Sequence, residues 1–136
     1  MDISLNTGGP HSPEYTQEVG DALAECVRVL NHATDGFDGL LYPGDVDRLI
    51  SAVATMASRL PQLFAQAEEN LTRIAGTPGL YDDRGGGAEV TVAQVSVGLS
   101  EAAAAANALY ELLDAAHQAS AHLGVRSGGE GSEDDG

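Results

Sequence analysis

The sequence contains no lysine, and it is poor in positive charge of any kind. Six arginines face 21 acidic residues, so the formal net charge is −15 over 136 residues. A charge of this sign repels phosphate backbones and anionic lipid head groups, which disfavours direct binding to nucleic acid or to a membrane surface. The acidity is typical of a solubilising surface. It also fits a protein that mimics nucleic acid in the basic groove of a partner.

Cysteine and large aromatic residues are scarce as well. Cys26 is the single cysteine, so no disulfide forms within the chain, and this favours a reducing cytoplasm. Cys26 falls on the apolar stripe of a predicted helix, where we expect a buried, unreactive thiol. With no tryptophan and two phenylalanines, an aromatic platform for stacking bases or sugars is excluded.

Signal and membrane segments are not apparent in the sequence. The chain does not start with a basic segment followed by an apolar one, so we expect no ordinary signal peptide. No apolar run approaches the roughly 20 residues that cross a bilayer. These features predict a cytoplasmic location and no membrane partner.

The longest regular pattern runs from Thr91 to Leu123, about 33 residues with the period of an α-helix. Its centre is the run Ala102–Ala106, where small side chains let another backbone approach closely. Such a helix is typical of packing against other helices. Its apolar positions recur at spacings of three and four, broken only near the end: Val92, Val95, Leu99, Ala102, Ala106, Leu109, Leu113, Ala116 and Leu123.

Capping signals set the boundaries of three predicted helices. Ser12, followed by Pro13, begins the first helix, which should end near His32–Thr34. Asp45 is the expected cap of the second helix, and Thr91 with Gln94 forms a capping-box signature for the third.

Two further signals concern the second helix. Gly76 should end it. Pro61 lies inside its apolar pattern, where it removes one backbone hydrogen bond, so we expect a kink there.

Together these signals predict an all-α fold, a three-helix bundle with two long helices. Residues 1–11 form a flexible N-terminal segment, 12–125 the bundle, and 126–136 a disordered acidic tail. The long helices would span about 45 Å and the first about 30 Å, at 1.5 Å per residue. Because the first helix cannot cover the whole groove, either Pro61 folds the second helix back over the exposed end or a second molecule covers it. Of these we favour completion of the bundle by homodimerisation.

Residues with catalytic or metal-binding chemistry do not form a convincing motif. His117 and His122 are five residues apart and point to different sides of a helix, whereas zinc needs three or four converging ligands. Asp114 and His117 could share a hydrogen bond. A pocket that joined them with Tyr110 would favour a small enzyme. Without such a pocket, we expect no enzymatic activity, no cofactor and no metal.

The sequence therefore favours a non-catalytic protein–protein interaction module, an adaptor or regulatory subunit that self-associates and binds a further, unidentified protein. Its alternative is an acidic inhibitor that mimics nucleic acid. The expected interaction residues are the helical row from Val92 to Ala116 together with three residues of the second helix, Leu60, Leu63 and Phe64.

Two segments carry a resemblance to known proteins. Residues Arg59-Leu60-Pro61-Gln62-Leu63, and the stretch from Leu99-Ser100-Glu101 through Leu123, resemble small helical proteins of Streptomyces-type actinobacteria. The resemblance covers the two long helices. It implies a cytoplasmic location and assigns no activity.

Overall fold

The computed structural model describes residues 2–127, and over that range every regular element is helical. Helix α1 spans Pro13–Ala33, α2 spans Pro43–Ala75 and α3 spans Ala88–Ser120. No strand occurs between residues 2 and 127. The all-α class and the three helices are thus confirmed. The predicted tail lies, from residue 128 onward, outside the described residues.

The chain divides between Leu41 and Tyr42 into two compact units. The first unit contains α1, which begins as predicted: the Ser12 hydroxyl accepts a hydrogen bond from the Tyr15 backbone N–H at 3.1 Å. The preceding segment folds back on this helix, because the Asn6 N–H donates to the Tyr15 hydroxyl at 3.0 Å. Helix α1 ends at Ala33, where the sequence placed its end.

The prediction of a buried Cys26 is wrong. Its thiol is exposed, and Leu23, Val27 and Leu30 on the same side of α1 are exposed as well. Among the described residues of α1 only Ala22 is buried. A helical apolar stripe identifies a surface that burial would stabilise, but the stripe itself does not determine what covers it.

Helix α2 begins two residues before its predicted cap. Tyr42 is the N-cap and Pro43 the first helical residue, and Asp45 accepts a hydrogen bond from the Tyr42 N–H at 3.0 Å. The sequence pattern is ambiguous here because an aspartate suits both the cap and the third helical position. Gly76 ends the helix as predicted, and α2 continues without interruption through Pro61.

Helix α3 has the predicted length of 33 residues but starts three residues earlier, with Gly87 as its N-cap. The capping-box prediction for Thr91 is therefore wrong. Thr91 lies within the helix, and its hydroxyl donates to the Asp82 carboxylate of the preceding loop. The Asp82 carboxylate binds the Thr91 hydroxyl, so this hydroxyl does not cap the helix. Gly87 is the N-cap instead, and its backbone has the extended conformation that this position needs. Leu123 lies beyond the helix end.

Helices α2 and α3 form an antiparallel hairpin. Asp47, near the start of α2, contacts His117, near the end of α3, and Leu71 lines the same cavity as Val92 at the opposite end. The helices meet along a row of buried and half-buried residues spaced alternately by three and four, broken in α3 by the exposed Tyr110, and this is the repeat of a coiled-coil seam. We call this row the packing seam. In α2 it comprises Pro43, Asp47, Ile50, Ala54, Ala57, Pro61, Phe64, Glu68, Leu71 and Ala75, and in α3 Val92, Ser96, Leu99, Ala103, Ala106, Leu113, His117 and Ser120.

Alanines occupy the most buried part of the packing seam. Ala54 and Ala106 are 5% exposed and Ala57 is 0% exposed, whereas no large side chain of the described residues is fully buried. Small side chains allow the two backbones to approach closely, but each buries little apolar area. The hairpin therefore has a tight but thin core.

We expect Ala106→Leu to push the helices apart and to destabilise the hairpin by about 1–3 kcal/mol, because extra methyl groups have no space at a filled contact. Urea unfolding followed by circular dichroism measures the change. Ala104→Leu is the matched control, since Ala104 lies two residues away on the exposed side of α3. Equal losses of stability in the two variants would contradict the close contact at Ala106.

Candidate functional site

A second apolar row lies beside the packing seam on both helices of the hairpin. Its members alternate at spacings of three and four, except at Asn70, and none of them carries a charge. The row comprises Val46, Leu49, Val53, Met56, Leu60, Leu63, Ala67 and Ile74 in α2, and Val95, Gly98, Ala102, Ala105, Leu109, Leu112, Ala116 and Ala119 in α3.

Both halves of this row lie on the same side of the hairpin. Most members directly precede a residue of the packing seam, as Val53 precedes Ala54 and Ala105 precedes Ala106, so they are rotated about 100° from it in one sense. In two antiparallel helices, an equal rotation about each axis leads to the same side of the pair. We call the resulting surface the apolar face.

The large side chains of the apolar face are substantially exposed. Leu63 is 51% exposed, Val95 42%, Leu109 41% and Leu112 72%. Leu60 and others nearer the packing seam are half-buried. Exposed apolar surfaces of this kind are typical of sites that contact a protein or another apolar partner.

Residues on the opposite side of the hairpin are mainly polar. This side includes Ser51, Ser58, Gln62 and Glu69 of α2, and Ser100, Asn107, Glu111, Asp114 and Gln118 of α3. The hairpin is therefore amphipathic as a unit, with a continuous apolar row on one side and mainly polar residues on the other.

The predicted interaction residues are divided between the two surfaces. The packing seam contains Val92, Leu99, Ala106 and Leu113 together with Phe64, whereas the apolar face contains Val95, Ala102, Leu109 and Ala116 together with Leu60 and Leu63. The row that the sequence presents as one stripe alternates between two neighbouring surfaces.

Sequence reasoning missed Gly98, Ala105, Leu112 and Ala119, which complete the apolar face on α3. The available signal was that almost every residue preceding a packing-seam residue is also apolar, which makes the stripe wide enough for two contacts.

A polar cluster joins the helices at the end of the hairpin opposite the loop. His117 Nδ1 lies 2.9 Å from Asp47 Oδ1, and the Ser120 hydroxyl donates to the same carboxylate oxygen. The carboxylate only accepts, so Nδ1 carries the hydrogen of this contact. The hydrogen bond from Ser120, with His117 nearby, lowers the pKa of Asp47 below its ordinary value.

This cluster has the residue types of a nucleophilic triad but a different arrangement. In a triad the histidine lies between the carboxylate and the hydroxyl and removes the hydroxyl proton. Here Ser120 and His117 both bind the carboxylate of Asp47, so the hydroxyl is held by the acid and not activated by the imidazole. This geometry suits a hydrogen-bonded link between α2 and α3.

The hydrogen bond that Asp114 and His117 could share is not formed. Asp114 accepts a hydrogen bond from the Gln118 side chain at 2.8 Å, and His117 pairs with Asp47 across the hairpin. Over residues 2–127, no three or more histidine, cysteine, aspartate or glutamate side chains lie together as metal ligands.

A second polar cluster holds the loop between α2 and α3. The Asp82 carboxylate accepts from Arg84 Nε at 3.0 Å, from the Arg84 backbone N–H at 2.8 Å and from the Thr91 hydroxyl. The hydrogen bonds from Arg84, followed by that from Thr91, hold the pKa of Asp82 far below its usual range. Beside this cluster a cavity of about 140 Å³, lined by Leu71, Tyr81 and Val95 among others, adjoins one end of the apolar face.

The pKa of Asp47 predicts a pH-dependent contribution to stability. Because the folded pKa is lowered, the contribution is present above the ordinary value of 3.8 and is lost as the pH falls through the folded pKa. We expect Asp47→Asn to lower the urea midpoint at pH 7, and the gap from the natural protein to narrow below about pH 4.

The control for this comparison is Asp114→Asn, because Asp114 bonds only within its own helix through Gln118. It should produce a smaller change at pH 7. A gap for Asp47→Asn that stays constant from pH 7 to pH 3 would contradict the role of the ionised carboxylate.

Comparison with protein-family models, with curated proteins and with solved structures finds no match to this chain. In the part of the chain from residue 2 to 127, none of the helices combines the length and the apolar character that crossing a membrane requires.

Proposed function

We propose that this protein is a non-catalytic interaction module, an adaptor or regulatory subunit, that self-associates through the apolar face. The observation that carries the proposal is the exposure of a long, uncharged surface on a hairpin whose own buried core consists of alanines. Covering large exposed side chains such as Leu63 and Leu112 contributes the apolar burial that the thin hairpin core lacks.

The dimensions of the apolar face suit an interface between two copies. Helices α2 and α3 have 33 residues each, which corresponds to a length of about 50 Å. Two adjacent helices with their side chains are about 20 Å wide, so the face offers about 1,000 Å² per copy. A stable protein interface of standard size needs about 800 Å² per partner.

The length of α1 favours a second copy as the occupant. With 21 residues α1 is about 32 Å long, about two thirds of the length of the apolar face. A single helix of that length leaves part of the face uncovered. A second hairpin has the same length as the face and closes the assembly by a twofold axis.

The proposal includes a bend of α2 at Pro61. Proline has no backbone N–H, so the carbonyl of Ala57 lacks its usual helical donor, and the ring crowds the preceding turn. Pro61 belongs to the packing seam, and a bend there would adjust the curvature of α2 to that of α3.

A cytoplasmic location also belongs to the proposal. Cys26 is exposed and is the single cysteine of the chain, so it has no intramolecular partner. A reducing compartment keeps such a thiol from joining two chains through a disulfide.

The test is a charge placed on the apolar face where the hairpin itself does not need the side chain. Leu112 is 72% exposed, so we expect Leu112→Asp to keep its helical content and to convert a dimer into a monomer. A buried unpaired carboxylate in the interface is the physical reason. Light scattering coupled to gel filtration measures the mass of each variant.

Val97→Asp is the matched control. Val97 is also an exposed apolar residue of α3, at 58%, but it points away from the packing seam and off the apolar face. It should remain dimeric. A natural protein that stays monomeric at high concentration, or equal dissociation of the two variants, would rule out self-association through this face.

A further inference from the structure

We propose that the two copies pair with their hairpins parallel, so that α2 of each copy packs on α3 of the other. This inference rests on the proposed self-association and specifies its geometry. It follows from the unequal sizes of the side chains that α2 and α3 contribute to the apolar face.

The two halves of the face differ most near the middle of the hairpin. Asp47 lies opposite His117, and Leu71 lies opposite Val92, so Leu60 is level with the run Ala102–Ala106. At this level α2 presents Leu60 and Leu63, while α3 presents Ala102 and Ala105. The face therefore has a ridge of leucines on one helix and a shallow strip of alanines on the other.

The difference does not hold along the whole face. Near the polar cluster, Leu49 of α2 is level with Ala116 of α3, but between this level and the middle Val53 and Met56 lie level with Leu112 and Leu109, so both halves are large there. Near the loop, the small Ala67 is level with the larger Val95, so the relation is reversed there. The α2 half is large from Val46 to Leu63 and does not complement itself, whereas the α3 half is small at Ala102, Ala105, Ala116 and Ala119 and has room for large side chains there.

Two face-to-face arrangements have twofold symmetry. An axis along the helices places α2 of one copy over α3 of the other, and Leu60 and Leu63 then meet Ala102 and Ala105 at the same level. An axis across the helices places α2 over α2, so the large side chains of the two α2 helices meet one another. Close packing requires large residues opposite small ones, which favours the first arrangement.

Charge does not oppose this pairing. The members of the apolar face from Val46 to Ala119 are uncharged. Acidic residues such as Glu69, Glu111 and Asp114 lie toward the opposite side of the hairpin. The net charge of −15 therefore remains outside the interface and weakens the association only through screened, longer-range repulsion.

Site-directed disulfide formation distinguishes the two arrangements. In a Cys26→Ser background, single-cysteine proteins Leu60→Cys and Ala105→Cys are mixed, refolded together and oxidised. We expect a covalent heterodimer of one Leu60→Cys chain and one Ala105→Cys chain as the main product, identified by its mass. Leu60→Cys oxidised alone should stay uncrosslinked, because diagonally opposed helices hold the α-carbons beyond the roughly 7 Å that a disulfide spans.

Ser58→Cys mixed with Ala105→Cys is the control, because Ser58 lies on the polar side of α2 and should yield no heterodimer. A second pair, Leu63→Cys with Ala102→Cys, reports on the same contact if either first variant loses its helical content. Both pairs should crosslink.

The other outcomes of the crosslinking and light-scattering experiments distinguish a wrong pairing geometry from an absence of self-association. Disulfide dimers of Leu60→Cys alone, without the heterodimer, would establish the crosswise axis and overturn this proposal. A dimer by light scattering that gives neither product would also overturn it, because another surface or α1 would then fill the interface. A monomeric natural protein would instead refute self-association itself.

Discussion

The close approach of α2 and α3 is the constraint on which the rest of the hairpin depends. Ala54, Ala57 and Ala106 allow it, because they keep large side chains out of the most buried part of the line where the helices meet. A pair of helices packed in this way buries little apolar area. Larger seam residues such as Phe64 and Leu99 are only half-buried, and further leucines and valines lie on the adjoining apolar face.

This division matches the proposed role of the hairpin as one part of an assembly. Its internal contact determines the distance between the helices, whereas its apolar face leaves large apolar side chains exposed. Substitutions in the two surfaces should have different effects: those in the packing seam change the stability of the hairpin, and those in the apolar face change the proposed self-association. The acidic residues of the polar side repel like-charged surfaces in solution.

The sequence predicts the helices well because the apolar period and the caps are local properties. Ser12, Gly76 and the alanine run act within a few residues of themselves, and the structure places them as expected. The errors at Thr91 and Cys26, and the hydrogen bond that Asp114 and His117 could have shared but do not form, have a common cause. Each depends on a residue or surface that is distant in the chain or on a competing partner. Asp82 binds the Thr91 hydroxyl, and Asp47 binds the His117 imidazole. For Cys26, no local property of the sequence determines whether another part of the protein covers the apolar stripe of α1. For the same reason, the row from Val92 to Ala116 could not be divided into two surfaces until the position of α2 was known.

The Asp47–His117–Ser120 cluster has a consequence for the register of the hairpin. Successive alanines along a helix present nearly the same shape. A seam whose most buried positions are alanines therefore resists a longitudinal slip of one helix past the other less than a seam of interlocked large side chains does. Directional hydrogen bonds remove that freedom, because a carboxylate on α2 meets an imidazole and a hydroxyl on α3 at one position only. Because the Asp82 cluster fixes the loop end, both ends of the hairpin are held in place. The Asp47–His117–Ser120 cluster therefore fixes the register, which determines which leucine lies level with which alanine.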